Sequence, residues 1–257
     1  MSINSDLKEF REFCAFLTQR SGDNIRKYFR SDIQIESKSD SSPVTIADKS
    51  TEEILRELIT KEYPEHGIIG EEFGKYNENA EYQWILDPID GTKSFVCGAI
   101  TFGTLISLVK NNRPILGVFH QPILNELLIG DNEETVLNDR IVKIKDVNNI
   151  NDAVLLATDH LGIEEYQDLA KFEKLMRKVK LYRQWGDCYG YYLVASGFAQ
   201  IMIDPIMSIW DTMALIPIIK GSGGIITDYH GHDAVVGNSI VASTPNLHRE
   251  VIEILNN

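Results

Sequence analysis

Between residues 102 and 130 the chain passes through three apolar runs joined by short turns, and this constrains the fold more than any other stretch. Residues 102–109 and 114–120 are separated by Asn111-Asn112-Arg113, and a third run spans 125–130. Connections this short leave no room for a crossover helix, so the runs pair as an antiparallel meander. Just upstream, the apolar Trp84-Ile85-Leu86 reads as a short buried strand that delivers Asp87 into Pro88-Ile89-Asp90-Gly91-Thr92. Asp87 and Asp90 then stand three residues apart on a turn that Pro88 stiffens and Gly91 sharpens, with the Thr92 hydroxyl directly after. Hard divalent cations take fixed oxygen ligands, and Mg²⁺ typically uses one or two carboxylates together with substrate phosphate. The plain alternative is an Asp-rich turn, because Asp and Gly are ordinary turn residues.

The rest of the chain supplies layers around this stretch. Leu7, Phe10, Phe13, Cys14 and Leu17 fall at helical spacing, which predicts a helix over 7–30 with Ser5 or Asp6 as its cap. Gly22 weakens the middle of that helix and leaves one helix or two. A strand at 33–37 and a polar, mobile loop at 38–43 follow. Asp48 then occupies the N-cap position of a helix carrying Ile54, Leu55, Leu58 and Ile59. Ile68-Ile69 is a buried strand broken at Gly70, and it presents Glu71-Glu72 at its end. Adjacent acids repel, so this pair is either solvated or neutralised by a cation. In the second half, strands at 153–157, 181–183, 200–204, 225–228 and 239–242 alternate with helices at 163–179, 189–196 and 246–255. A further helix begins at 208 and runs through Ile219, with Pro217 predicting a kink. The expected class is α/β, a layered arrangement in one 257-residue unit whose sub-halves span about 1–145 and 146–257.

Charge and cysteine usage narrow the partners. The formal net charge is −13, from 25 Lys and Arg against 38 Asp and Glu. That balance argues against a nucleic acid or an anionic membrane, which need a basic footprint. Three widely spaced cysteines (Cys14, Cys97, Cys188) imply neither a disulfide framework nor a zinc site, and they point to a reducing cytoplasm. No signal peptide is evident at the start, and no run approaches ~18 apolar residues. His120, alone at a strand end, reads as structural. Acidic stations at Asp48, Glu71-Glu72, Asp87 with Asp90, and Asp211 each lie beside an apolar run. With no Cys or His cluster, the ion they suit is a hard one.

Taken together, Glu71-Glu72, Asp87-Pro88-Ile89-Asp90-Gly91-Thr92 and Trp210-Asp211, in this order, resemble the inositol monophosphatase superfamily of Mg²⁺-dependent, lithium-sensitive phosphatases. The likeness covers at least residues 44–224. It implies an αβαβα sandwich with an antiparallel N-terminal sheet and a mixed C-terminal sheet. It also implies that Glu71, Asp87 and the Ile89 carbonyl bind one Mg²⁺, and that Asp87, Asp90 and Asp211 bind a second. Glu71 would help hold a weaker third ion. Asp48 and Thr92 would orient and deprotonate the attacking water, and the Gly91 and Thr92 amides would hold phosphate oxygens. By analogy the assembly is a homodimer, and the partner is a small-molecule phosphate ester.

Finer features resemble the histidinol-phosphatase branch: Lys93-Ser94-Phe95, Phe102-Gly103-Thr104, Gln121-Pro122-Ile123-Leu124, Gly186-Asp187-Cys188-Tyr189 and Ala214-Leu215-Ile216-Pro217. After Trp210-Asp211 the chain continues Thr212-Met213-Ala214-Leu215, where inositol phosphatases typically carry Ala-Ala or Ala-Gly. Histidinol phosphate carries an ammonium and an imidazole, so its site should offer carboxylates away from the metals. Asp187 and Asp204 are the candidates, against plain roles as a helix cap and a strand-end turn residue. An inositol or other small-polyol phosphate is the alternative substrate. A catalytically idle homologue would show broken ligands, yet Asp48, Glu71, Asp87, Asp90, Thr92 and Asp211 are all present.

Overall fold

The computed structural model describes residues 3–37 and 43–257, with the side chains of 3–6 excepted. The first helix begins at Ile3, so Ser5 and Asp6 stand inside its first turn and not at its cap, and of the polar loop expected at 38–43 residues 38–42 lie outside the described residues. Helix α1 (Ile3–Tyr28) is a single helix that buries Cys14, Leu17 and Ile25 completely. Gly22 does not divide it. A side chain there would meet the His120 ring, with the added Cβ only 2.6 Å from Cε1. This glycine serves close packing and not a break.

A two-stranded ribbon of β1 (Ile35–Ser37) and β2 (Pro43–Thr45) leads into α2 (Ile46–Glu62). Then come β3 (Gly67–Gly70), β4 (Gly74–Tyr76), β5 (Tyr82–Asp90), α3 (Thr92–Val96), β6 (Gly103–Lys110), β7 (Arg113–Gln121), β8 (Glu126–Gly130), β9 (Thr135–Leu137) and β10 (Arg140–Ile141). The eight strands from β3 to β10 form one sheet in the order β10-β9-β8-β7-β6-β5-β3-β4. The expected meander is its centre. Asn111 and Asn112 both take left-handed φ values (49° and 61°) in the tight β6–β7 turn, the geometry that matches strand twist. Pairing is antiparallel throughout except between β3 and β5, which run parallel.

Strand β5 departs from the expected short strand that turns at Asp87. It stays extended through Pro88 to Asp90, and its register against β6 shifts between Asp87 and Asp90. Pro88 has no N–H for the ladder, which confines it to such an irregularity. Its carbonyl is taken instead by Thr104 Oγ1 at 2.8 Å.

The second sheet comprises β11 (Val154–Ala157), β12 (Leu181–Arg183), β13 (Ile201–Asp204), β14 (Ile225–Thr227) and β15 (Ile240–Ser243), ordered β12-β11-β13-β15-β14. Strands β12, β11 and β13 are parallel and the remainder antiparallel, so the sheet is mixed. Its helices are α4 (His160–Tyr166), α5 (Leu169–Lys178), α6 (Asp187–Ala195), α7 (Ile209–Gly221) and α8 (Pro245–Asn256). The single helix expected at 163–179 is in fact two. Asp168 interrupts it by capping α5, accepting from the Lys171 amide at 3.2 Å.

Alternation along β5 builds the layers. Trp84 and Leu86 pack with Leu17, Leu55 and Ile59 of α1 and α2. Ile85 faces the other way, into a core shared with Leu156, Tyr191 and Ile216 between the two sheets. A third cluster, with Leu155, Phe172 and Val251, seats α5 and α8 on the outer face of the second sheet. The result is an αβαβα sandwich. Helix α7 lies directly on the large sheet, because a Cβ on Gly117 would fall 1.9 Å from the Ala214 carbonyl oxygen and one on Gly130 2.5 Å from Ile218 Cα. Pro217 inside α7 has no N–H to offer the Met213 carbonyl, and Ser107 Oγ donates to that oxygen at 3.1 Å. No helix among the described residues is long and apolar enough to cross a membrane.

Candidate active site

Strand pairing brings the first acids together. Gly70 of β3 is level with Leu86 of β5, and the Glu71 amide donates to the Leu86 carbonyl at 3.2 Å. Glu71 therefore leaves its strand beside the residue at which β5 presents Asp87. Asp87 is 2% exposed, and its Oδ1 accepts the Ile89 amide at 3.0 Å. Gly91 (φ 86°) turns the chain from β5 into α3. A Cβ there would lie 2.9 Å from the Thr101 carbonyl and 3.0 Å from Asp187 Oδ2, so glycine is required twice over. Asp211 arrives from the far half as the third residue of α7, where its Oδ2 accepts the Ser208 amide at 2.7 Å. Carboxylate oxygens of Asp87, Asp90 and Asp211 all lie within 4.8 Å of one another.

Electrostatics say what such a cluster needs. Burial raises the Asp87 pKa well above the usual carboxylate range, and Glu71, Asp90 and Asp211 raise it further. Asp90 is raised by burial, then by Asp187 and Asp211, although the Cys188 amide donates to it and opposes the shift. Acids at this spacing repel unless a proton or a cation intervenes. An all-oxygen donor set, with no Cys or His in the cluster, fits a hard divalent ion.

Asp48 is not the expected N-cap. Thr45 caps α2, and Asp48 is the third helical residue of a capping box. Its Oδ2 accepts both the Thr45 amide (2.8 Å) and hydroxyl (2.6 Å). Its Oδ1 faces Thr92 Oγ1 at 3.2 Å, and the same hydroxyl lies 2.9 Å from the Ile89 carbonyl. Burial pushes the Asp48 carboxyl up, and the Thr45 and Thr92 hydrogen bonds oppose that.

Two adjoining clefts open beside the cluster. One, of about 300 Å³, is lined by Glu71, Gly91, Thr92, Lys93, Asp159 and Asp187 among others. The other, of about 150 Å³, is walled by Asp90, Asp159, Asp187, Asp204 and Asp211. Gly186, not Asp187, caps α6, and Asp187 takes a left-handed φ of 51° that costs a non-glycine residue energy. The Asp187 amide donates to Thr158 Oγ1 at 3.0 Å. Burial and Asp211 push its carboxyl to about 6 while Lys93 pulls it down. Asp204, ending β13, is 4% exposed and accepts from the Thr158 and Tyr191 hydroxyls, the latter at 2.9 Å. Burial drives it to about 8 despite those donors.

Of the expected site residues, Glu71, Asp90, Gly91, Thr92, Asp187, Asp204 and Asp211 line these clefts, while Asp48 and the Ile89 carbonyl reach them through the Thr92 hydroxyl and Asp87 through its cluster with Asp90 and Asp211. The sequence reading missed Thr158 and Asp159 as wall residues, along with the Cys188 amide that holds Asp90. Asp159 carried a usable signal, because it follows the apolar run of β11 as Asp87 and Asp204 follow theirs. Thr158 carried none. His120 is remote, packed against Gly22, and burial with nearby Arg26 holds its imidazole down at about 4.

The chain is similar to known proteins along nearly its whole length. The chloroplastic bifunctional phosphatase IMPL2 of Arabidopsis thaliana is 40% identical over 266 residues, covering 98% of this chain and 76% of its own. A histidinol-phosphatase from Chlorobaculum parvum is 34% identical, with 94% of each chain covered. A solved inositol monophosphatase from Zymomonas mobilis superposes with a TM-score of 0.86 at 32% identity over 100% of both chains. The model of the inositol monophosphatase family matches residues 6–257. With its acid cluster, its sandwich and this match over nearly its whole length, the chain belongs to the inositol monophosphatase family and is a phosphatase.

Proposed function

We propose that this phosphatase is a Mg²⁺-dependent phosphomonoesterase that hydrolyses histidinol phosphate to histidinol and phosphate, a step of histidine biosynthesis. The observation that carries this reading is that the acids extend past the three-aspartate cluster into the cleft that Asp90 and Asp211 share with Asp159, Asp187 and Asp204. Asp87, Asp90 and Asp211 crowd one point. Asp159, Asp187 and Asp204 line the adjoining cleft, where a phosphate ester with a cationic head would place its ammonium and imidazole. The Chlorobaculum parvum relative bears the matching name.

Glu71, Asp87, the Ile89 carbonyl, Asp90 and Asp211 would hold two or three Mg²⁺. When bound, these ions supply Lewis-acid charge to the phosphoryl group and acidify water. The chain's own groups do the rest. The Thr92 hydroxyl, held between Asp48 and the Ile89 carbonyl, orients the attacking water, and Asp48 takes its proton. The Gly91 and Thr92 amides hold phosphate oxygens. Water adds to phosphorus, the P–O bond to the alcohol breaks, the alcohol oxygen takes a proton from a second water as it leaves, and Asp48 returns its proton to solvent. Asp187 and Asp204 face the cationic head. The net charge of −13 is then no obstacle, because the acids collect the cations that collect the phosphate.

The match to the Zymomonas mobilis inositol monophosphatase over both whole chains favours a second reading, an inositol or other small-polyol phosphate as substrate. Phosphate release from histidinol phosphate and from inositol phosphate, each with and without Mg²⁺, separates the two. Activity on neither would refute both. The chain would act as one unit and as a homodimer, which light scattering checks. The cytoplasm suits its three unpaired cysteines.

A further inference from the structure

We propose that Glu52 is a positioning residue for the metal site, acting through the turn that carries Glu71; this rests on the reading of Glu71 as a Mg²⁺ ligand. Glu52 lies on α2, outside both clefts, and is 0% exposed. A buried carboxylate is costly unless its oxygens are satisfied. Here Oε2 accepts the Glu72 amide at 2.7 Å, and Oε1 accepts the Phe73 amide at 3.1 Å and Arg56 Nε at 2.7 Å. Arg56 continues outward to donate Nη2 to the Gly74 carbonyl. The segment from Gly70 to Gly74 thus wraps one ion pair rooted in a helix.

Gly70 supplies an independent observation. A Cβ on it would fall 2.0 Å from Glu52 Oε1 and 2.4 Å from Cδ. The carboxylate is seated where a side chain of the strand's last residue would otherwise stand. Glu71 is the residue between this seat and the first bonded amide, and its own N–H is tied to Leu86. Its backbone is fixed on both sides by groups that never enter the cleft. Arg56 compensates the Glu52 charge, so the influence of Glu52 on the ion is one of placement and not of field. Removing the carboxylate frees two amides at the point that decides where Glu71 aims.

A double-mutant cycle on Mg²⁺ binding, measured by titration calorimetry of the full chain, tests this. Glu71→Gln should weaken the tightest Mg²⁺ site. Glu52→Gln should weaken the same site by about 10–100-fold, the usual effect of removing a group that orients a ligand. In the double variant the loss should match Glu71→Gln alone within about two-fold, because Glu52 acts only through Glu71. Wild-type affinity in Glu52→Gln, or losses that multiply in the double variant, would overturn the positioning role while leaving Glu71 as a ligand. Unchanged affinity in Glu71→Gln would instead remove Glu71 from the site and the role of Glu52 with it. Should Glu52→Gln fail to fold, Gly70→Ala unseats the carboxylate with a single methyl. It predicts the same loss and the same non-additivity.

Discussion

Asp87 and Asp204 are both strand-borne aspartates, 2% and 4% exposed, and both are pushed upward by burial, yet their surroundings differ in kind. Around Asp87 stand Glu71, Asp90 and Asp211, and its Oδ1 accepts the Ile89 amide. Asp204 also feels Asp187 and Asp211, but its own oxygens accept two hydroxyls, from Thr158 and Tyr191. Burial alone therefore does not define a metal ligand. Crowded acids call for a cation, whereas a buried acid met by hydroxyls holds its proton until a ligand's positive charge draws it off.

The sharpest break of that contrast is Asp87→Asn. It should lower kcat by about 10³-fold or more and abolish the rise in melting temperature on adding Mg²⁺. Asp204→Asn should keep that rise, and its loss there would dissolve the distinction between the two aspartates. Next, Thr92→Val should lower kcat by about 10²-fold with little change in KM, because the hydroxyl touches Asp48 and the Ile89 carbonyl. Asp187→Asn should raise KM for histidinol phosphate about 10-fold, one charge-assisted contact, and leave inositol phosphate nearly unaffected. Equal changes for both substrates would reassign Asp187 to the metal end.

The smallest effect concerns pH. With its folded pKa near 8 against an ordinary 3.8, Asp204 binds its proton more tightly in the folded chain. Its contribution is complete below about 4 and is lost as pH rises toward 8. The melting temperature of the wild type should therefore fall over that window relative to Asp204→Asn. A flat difference would mean that Thr158 and Tyr191 keep the carboxylate ionised.

The legible parts of the molecule were those written in short-range pattern. The β6–β7–β8 meander follows from apolar runs joined by short turns, Asn111-Asn112 among them. Asp87 and Asp90 follow from their spacing beside Pro88 and Gly91. Asp211 became legible only through the order of the three acidic motifs. What stayed hidden depends on distant partners. Gly22 makes sense only when His120 packs on it. The extension of β5 through Pro88 is held by Thr104. Thr158 joins Asp187 to Asp204 across 29 and 46 residues of chain. β9 and β10, of three and two residues, are too short for any periodicity to register.

The seat of α7 on Gly117 and Gly130 has a mechanical consequence. Most helices ride on side chains, which yield by changing rotamer and let the helix drift by fractions of an ångström. Here backbone rests on backbone, with Gly221 likewise against the Glu134 carbonyl at the far end of the helix. The gauge between the sheet that bears Asp87 and Asp90 and the helix that bears Asp211 is thus machined from main chain alone. Sequence drift can alter nearly every neighbouring side chain without retuning that spacing, but one added methyl at Gly117 would shim the two halves of the ion cage apart.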